Sequence, residues 1–401
     1  QVGRMETNGS LATEVGSTEQ AHLLDIVQRL LDVRAAEFSF VDVLSSTNTY
    51  IPLVALFGFM VAFRFFRSDN FLLWLQRHTI LIALVTLLPF AVVVLAFSAE
   101  GKFLGQTTPW EPVKIVFLVA FAAMLADTYR HLGRTRWGLP QARFALPFLV
   151  VAALPIIPFF ALSDFGQMLV FFGVYATLYA IAVRSKVQLA YALLAVLLFV
   201  PVLWAGIGVP GRVNLRFAMW WDTWQAPAET TEWWAPYLAR IREAYGFPVS
   251  NEDAWYDQSS QLAQGLFGIS DGGVTGAGLG LGYPEIVPVS DSDFVYAAIA
   301  EETGLLGGLV VLLALVALVF SGIRVAIDAG DMFTKLIAVG FTAFIGFQSL
   351  VNIGGVIRLL PMTGITLPFV SHGGWSLITS FVMLGILMAI AHRNAKEVRT
   401  V

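Results

Sequence analysis

The sequence predicts an all-α fold: a polytopic helical membrane protein of about nine spans with one large extracytoplasmic loop. Three observations predict it. The chain is 57% hydrophobic and only 13% charged, where soluble domains carry about 25% charged residues. Several uncharged runs reach the ~20 apolar residues that cross a bilayer core, and the mean hydropathy is +0.74. Between two apolar halves, residues 209–293 form a polar passage holding six of the eleven tryptophans, eleven carboxylates, four arginines and no lysine. A structureless loop of that length is improbable in a compact domain, so this one is expected to fold on itself. The absence of cysteine excludes disulfides, thiolate zinc sites and cysteine nucleophiles. No nucleic-acid partner is expected; membrane lipids are.

In chain order, residues 1–48 make an acidic N-terminal segment. Its first twenty residues have little to bury and read as disordered. Over 21–34, Leu23, Val27 and Leu30, with Leu24 and Leu31 beside them, recur at helical spacing. That is an amphipathic helix, too charged to span, suited to a membrane surface or a partner. The membrane domain runs over 49–393. Its spans are expected at 49–66, 78–98, 111–128, 144–162, 165–183, 187–208, 294–321, 333–355 and 372–392, and 394–401 is a cytoplasmic tail. Arg64, Arg67, Arg77, Arg130, Arg134, Arg136, Arg143, Arg184, Lys186, Arg324, Lys335, Arg393, Lys396 and Arg399 fall on one face, 14 of the 24 basic residues. The positive-inside rule makes that face cytoplasmic and puts 209–293 outside. No basic-then-apolar signal segment is visible. With nine spans and an outside N-terminus, either a further helix precedes Gln1 or residues 21–46 stand in for it.

The polar residues near span ends carry the chemistry. Glu111 and Lys114 sit one turn apart at the outer start of a span, on one helical face. Asp164 lies at the outer end of another, and Asp293, Glu301 and Glu302 open the span after the loop. Arg358 precedes residues 360–375, a Pro- and Gly-broken stretch. Irregular backbone at membrane depth is tolerated only against protein or a wet cavity, so this stretch lines something. Ionisable groups at such depth mark functional sites; singly, each is equally well an interfacial anchor. Within the loop, Arg212 and Arg216 precede Trp220-Trp221-Asp222-Thr223-Trp224. The rings desolvate Asp222, which favours its neutral form and suits a general base, and the arginines can hold a phosphate. The alternative for the tryptophans is an interfacial belt. The glycine run 272–282 leaves little side chain to keep a ligand away, but it lacks the strand–turn–helix context of a dinucleotide site. His372 reads as a base or, more simply, as a packing residue.

These residues carry a resemblance. Pro361-Met362-Thr363-Gly364-Ile365-Thr366-Leu367-Pro368-Phe369-Val370-Ser371-His372-Gly373-Gly374-Trp375-Ser376 resembles the signature of the SEDS family (shape, elongation, division and sporulation proteins such as RodA, FtsW and SpoVE). Ser292-Asp293-Phe294 through Ala300-Glu301-Glu302-Thr303-Gly304 is similar to its T-D-F…A-E-E-x-G stretch. Glu111-Pro112-Val113-Lys114 resembles its E-x-x-K, and Ser163-Asp164-Phe165-Gly166 its P-D-x-G. Gln264-Gly265 followed by Asp271-Gly272-Gly273 and Gly276-Ala277-Gly278 is similar to its glycine-rich Q-S motif. The likeness runs from about 50 to 393. Thr223 stands where the family's D-P-W has proline, Asp291 replaces a histidine, and His372 and Trp375 replace tyrosine and serine. The family pattern has ten spans.

The resemblance implies a peptidoglycan glycosyltransferase that polymerises lipid II at the outer face of the bacterial cytoplasmic membrane, with a class B penicillin-binding protein (a transpeptidase) as partner. Asp222 takes the position of the catalytic acid. Glu111, Lys114, Asp164, Arg212, Arg216, Gln264, Asp293, Glu301, Ser371 and His372 are then expected to bind substrate. The pyrophosphate would be neutralised by Lys114, Arg212 or Arg216, alone or with a divalent cation such as magnesium or manganese. A flippase for the same lipid-linked precursor, or an inactive scaffold for a synthase, are the alternatives. A flippase needs polar groups on a path to the inner face, and no charge is found mid-span on the inner half.

Overall fold

The computed structural model describes residues 47–79, 81, 82, 84, 110–132, 135, 136, 139, 140, 164–183, 187, 190, 216, 220, 252–282, 287 and 289–400. The chain divides into two units, 1–51 and 52–401, and of the first only the opening turn of a helix is described. In order, the elements are α1 (Thr47–Phe66), α2 (Asp69–Thr79), α3 (Trp110–Leu132), a ladder of β1 (Thr135–Arg136) and β2 (Leu139–Pro140), and α4 (Phe165–Val183). Then come α5 (Glu252–Gly272), α6 (Val295–Ile327), α7 (Met332–Val356) and α8 (Gly374–Thr400). Among the described residues five helices, α3, α4, α6, α7 and α8, are long and apolar enough to cross a membrane. The α1–α2 pair, bent by 94°, adds a sixth if it is one span. The chain is an integral membrane protein of helical class. The expected spans at 144–162, most of 78–98 and 187–208, and the helix at 21–34, lie outside the described residues.

α7 is the hub. It packs against α6, α4, α3 and α8, and most of its length is buried. Small residues make this possible, because without a hydrophobic drive between helices in lipid, close approach is what stabilises contact. Leu118 of α3 sits over Gly340, and Phe347 over Gly173 of α4. Between the three helices lies an aromatic core: Phe171 meets Phe117 at 5.8 Å and Phe344 at 5.7 Å, both edge-on, the arrangement ring quadrupoles favour. α6 is the opposite case. Leu305, Leu309, Val310, Leu313 and Phe320 are all exposed along it, an apolar stripe with lipid as its neighbour. Asp331 starts α7 as its N-cap, accepting from the Thr334 backbone N–H at 2.9 Å.

Several helix bounds differ from the sequence reading, and at α2 and α8 polar contacts accompany the difference. α2 begins at Asp69 rather than 78, because Gln76 donates to Asp127 of α3 at 2.9 Å and Asp69 meets Arg393 at 2.6 Å. α8 continues past 392 to Thr400, since Asn394 donates to the Val325 carbonyl at 2.9 Å. α6 likewise runs on to Ile327. These pairs gather Asp69, Gln76, Asp127, Val325 and Arg393 at one end of the helices, the end where the basic residues concentrate. The large loop does contain ordered structure: α5 packs against α6.

α6 is interrupted at Gly304, with φ 70° and ψ −172°. In an unbroken helix the 305 and 306 amides would bond the carbonyls of 301 and 302. Instead Leu305 and Leu306 donate to the Gly273 and Val274 carbonyls at 2.9 and 3.2 Å. The freed Glu301 and Glu302 carbonyls accept from Ala277 and Gly278 at 3.0 and 2.9 Å. The glycine run is thus threaded into the break, and every displaced backbone group finds a new partner. A Cβ on Gly276 or Gly304 would run into the other strand's backbone. Gly304→Ala is expected to cost at least the ~1–3 kcal/mol of a glycine-only backbone conformation. Thermal melting of the detergent-solubilised protein checks this; an unchanged midpoint would mean the break is not needed.

Candidate active site

The end of the bundle opposite the basic cluster holds the candidate site. On α3, one turn separates Glu111 from Lys114, and the two close a salt bridge of 2.6 Å with side chains 5% and 1% exposed. Lys114 Nζ also lies 5.1 Å from the Phe344 ring centroid on α7, a cation–π contact strengthened by the lack of water. Such a pair gives little net stability, but removing either member strands a buried charge.

Asp164 begins α4. Its Oδ1 accepts from the Gln167 amide at 3.1 Å, a capping geometry that seats a carboxylate at a positive helix end. Burial pushes this carboxyl from 3.8 up to about 6, against the pull of the Gln167 amide, Lys114 and Arg216; Glu111 pushes the same way as burial. Asp293, two residues before α6, is likewise raised by burial to about 6, with Arg216 opposing, Asp291 reinforcing and the Ser292 hydroxyl opposing. Arg216 is therefore the shared cation of both acids. Its Nη1 donates to the Thr363 carbonyl at 2.6 Å. A Cβ built on Gly364, where φ is +70°, would lie 3.2 Å from Arg216 Nη2 and 3.4 Å from Asp293 Oδ2, so glycine leaves room for both groups.

The broken segment is held by amides from α7. Asn352 Nδ2 bridges the Asp293 and Ile365 carbonyls at 2.9 and 2.6 Å, and Gln348 Nε2 donates to the Thr366 carbonyl at 2.9 Å. At the far side Ser371 Oγ donates to the Ser292 carbonyl at 2.6 Å and accepts from the Leu367 amide at 2.7 Å. The His372 amide donates to the Asp291 carbonyl at 2.8 Å, while the residue itself is exposed. Trp220 and Arg358 exchange two bonds: indole Nε1 to the Arg358 carbonyl at 3.0 Å and Arg358 Nη2 to the Trp220 carbonyl at 3.2 Å. This ties the passage upstream of Asp222 to the residue that leads into the broken segment.

Each carboxyl at Asp164 and Asp293 binds its proton more tightly folded than unfolded. The stability this adds is fully present below about 4 and is lost as pH rises through about 6. The melting temperature is therefore expected to rise between pH 7 and pH 5, and the rise should shrink in Asp164→Asn/Asp293→Asn. Equal shifts in both proteins would remove the two acids from the account.

Of the residues singled out from sequence, Glu111, Lys114, Asp164, Arg216 and Asp293 come together. Ser371 spends its hydroxyl within the fold. Glu301 is buried between α5 and α6, its carboxylate 3.1 Å from a Cβ built on Gly268. Gln264 lies on α5 with Oε1 buried and no hydrogen-bond partner among the described residues. Asp222 and Arg212 lie outside the described residues. Gln348 and Asn352 were not singled out, although polar amides inside an apolar span are themselves a signal. Among the described residues no three His, Asp or Glu side chains converge to hold a metal.

A family model for the FtsW/RodA/SpoVE cell cycle proteins matches residues 32–396. The chain belongs to this family. Among FtsW/RodA/SpoVE relatives, the peptidoglycan glycosyltransferase RodA of Mycobacterium tuberculosis is 29% identical over 297 residues, 73% of this chain and 57% of that protein. Stage V sporulation protein E of Bacillus subtilis is 39% identical over 162 residues, 39% of this chain and 43% of that protein. The probable peptidoglycan glycosyltransferase FtsW of the same species is 42% identical over 136 residues, 33% of each chain. The chain thus spans a little over half the length of its RodA relatives. A solved chain from a peptidoglycan synthase complex superposes with TM-score 0.62 at 21% identity, covering 88% of this chain and 94% of that one. That likeness shows the fold.

Proposed function

We propose that the chain polymerises lipid II into glycan strands at the outer face of the bacterial cytoplasmic membrane. The observation that carries this is the gathering of Glu111, Lys114, Asp164, Arg216 and Asp293 around a broken membrane segment at the end away from the basic cluster. Asp222 takes the proton from the acceptor sugar's 4-hydroxyl as that oxygen attacks the anomeric carbon of the other lipid-linked chain. The bond to pyrophosphate breaks, and the leaving group takes up the negative charge. Arg216, and Arg212 with it, meets that charge directly. Lys114 is too buried to touch substrate; it holds Glu111 and adds positive potential around Asp164. Support for Asp222 in this role comes from its sequence position, since just upstream Arg216 is bonded to the broken segment at Thr363 and Trp220 to Arg358 ahead of it. A magnesium or manganese ion would supply further positive charge to the pyrophosphate; among the described residues no cluster of His, Asp or Glu is built to hold one.

The flippase alternative needs a polar route between the two ends. Among the described residues the side-chain amide nitrogens of Gln348 and Asn352 inside α7 donate to the broken segment and to the Asp293 carbonyl, which favours the enzyme. The partner is a class B penicillin-binding protein, in keeping with the fold's likeness to a chain of a synthase complex.

A single-cysteine scan tests the active face, and the native chain has no cysteine to interfere. Cysteine at Ser250 should label with a membrane-impermeant maleimide in intact spheroplasts, and cysteine at Thr135 only after lysis. Labelling of Thr135 from outside and Ser250 from inside would end the polymerase reading.

A further inference from the structure

After Asp271 the next charged residue is Glu285, so the loop threaded into the α6 break is uncharged throughout. Its larger side chains face away from protein: Leu279 is 79% exposed, Leu281 71% and Val274 60%. The loop backbone is bonded to Leu305 and Leu306, which begin the lipid-facing stripe of α6. Residues 305–323 carry no charge and rise about 28 Å at ~1.5 Å per residue, close to the ~30 Å of a hydrocarbon core. Leu305 and Leu306 therefore stand at the edge of that core, and the loop stands at the same level. Irregular backbone survives at this depth only if its polar groups are paired, and the reciprocal bonds with the broken helix pair them.

We propose that residues 273–282 form a wedge seated in the bilayer, sinking Leu279 and Leu281 into the headgroup–acyl boundary of the leaflet at the N-terminal end of α6. The occupant of this apolar surface is membrane lipid, because the loop and the lipid-facing stripe it joins are both uncharged; Glu302, half-buried beside Gly282, marks the polar edge of the wedge. On the protein side, Gly268 of α5 and Gly282 of the loop pack on Glu301, so the wedge fixes the height of α5 above the bilayer.

Site-directed spin labels on the full chain in phosphatidylethanolamine–phosphatidylglycerol nanodiscs test this. Leu279→Cys and Leu281→Cys are compared with Val310→Cys, on the lipid-facing stripe, and Ser270→Cys, exposed on α5. At 279 and 281, collisions with oxygen should exceed those with a water-soluble nickel chelate, as at 310, with the opposite ranking at 270. Water-like behaviour at both loop positions overturns the proposal. So does exclusion of both reagents, which would mean that protein covers the loop.

Discussion

Lys114→Met is expected to destabilise the protein by about 3–5 kcal/mol, the usual cost of stranding one member of a buried ion pair, and to abolish glycan polymerisation. Glu111 would be left charged at 5% exposure with its partner gone, and the contact to Phe344 would lose its cation. The double variant Glu111→Gln/Lys114→Met removes both charges and should recover most of the stability, since matched neutral groups avoid the uncompensated burial. It should not recover activity, because the field around Asp164 is gone. Thermal melting and polymerisation assays separate the two effects, and Lys102→Met serves as a control remote in sequence. A double variant with both stability and activity restored would make the pair a packing device.

Asp222→Asn is expected to reduce polymerisation by about 100- to 10,000-fold, the range a positioned general base contributes. An amide of the same shape cannot take the acceptor's proton, while packing and charge elsewhere are unchanged. Expression, melting temperature and binding of the proposed penicillin-binding partner should match wild type. Co-purification and melting check those, and polymer length on a gel checks the loss. Near-normal polymer from a well-folded Asp222→Asn preparation would remove Asp222 from the chemistry.

The helical class was legible because lipid imposes a simple rule on sequence. A run of ~20 apolar residues has few alternatives to a helix, and α4 and α7 fall close to where hydropathy put them. Helix ends were less legible wherever polar side chains are satisfied by a neighbouring helix, as with Gln76 on Asp127 or Asn394 on Val325. No local pattern reveals such a partner. The site was half legible: Glu111 and Lys114 announced themselves by spacing and Asp293 by position. The convergence of Asp164 and Asp293 on Arg216 is a tertiary fact, carried by contacts separated by many tens of residues. The glycine run was visible but its purpose was not. Read alone, it looked like room for a ligand; in the fold the room is taken by the backbone of a broken helix, which glycine alone lets approach so closely.

The most direct measurement is incubation of purified chain with labelled lipid II, with and without the proposed class B penicillin-binding partner, followed by separation of the products by length. The account predicts a ladder of glycan strands from the wild-type complex, with lipid pyrophosphate released in step and no ladder from Asp222→Asn. A folded wild-type complex that binds lipid II and releases neither strands nor lipid pyrophosphate would contradict it.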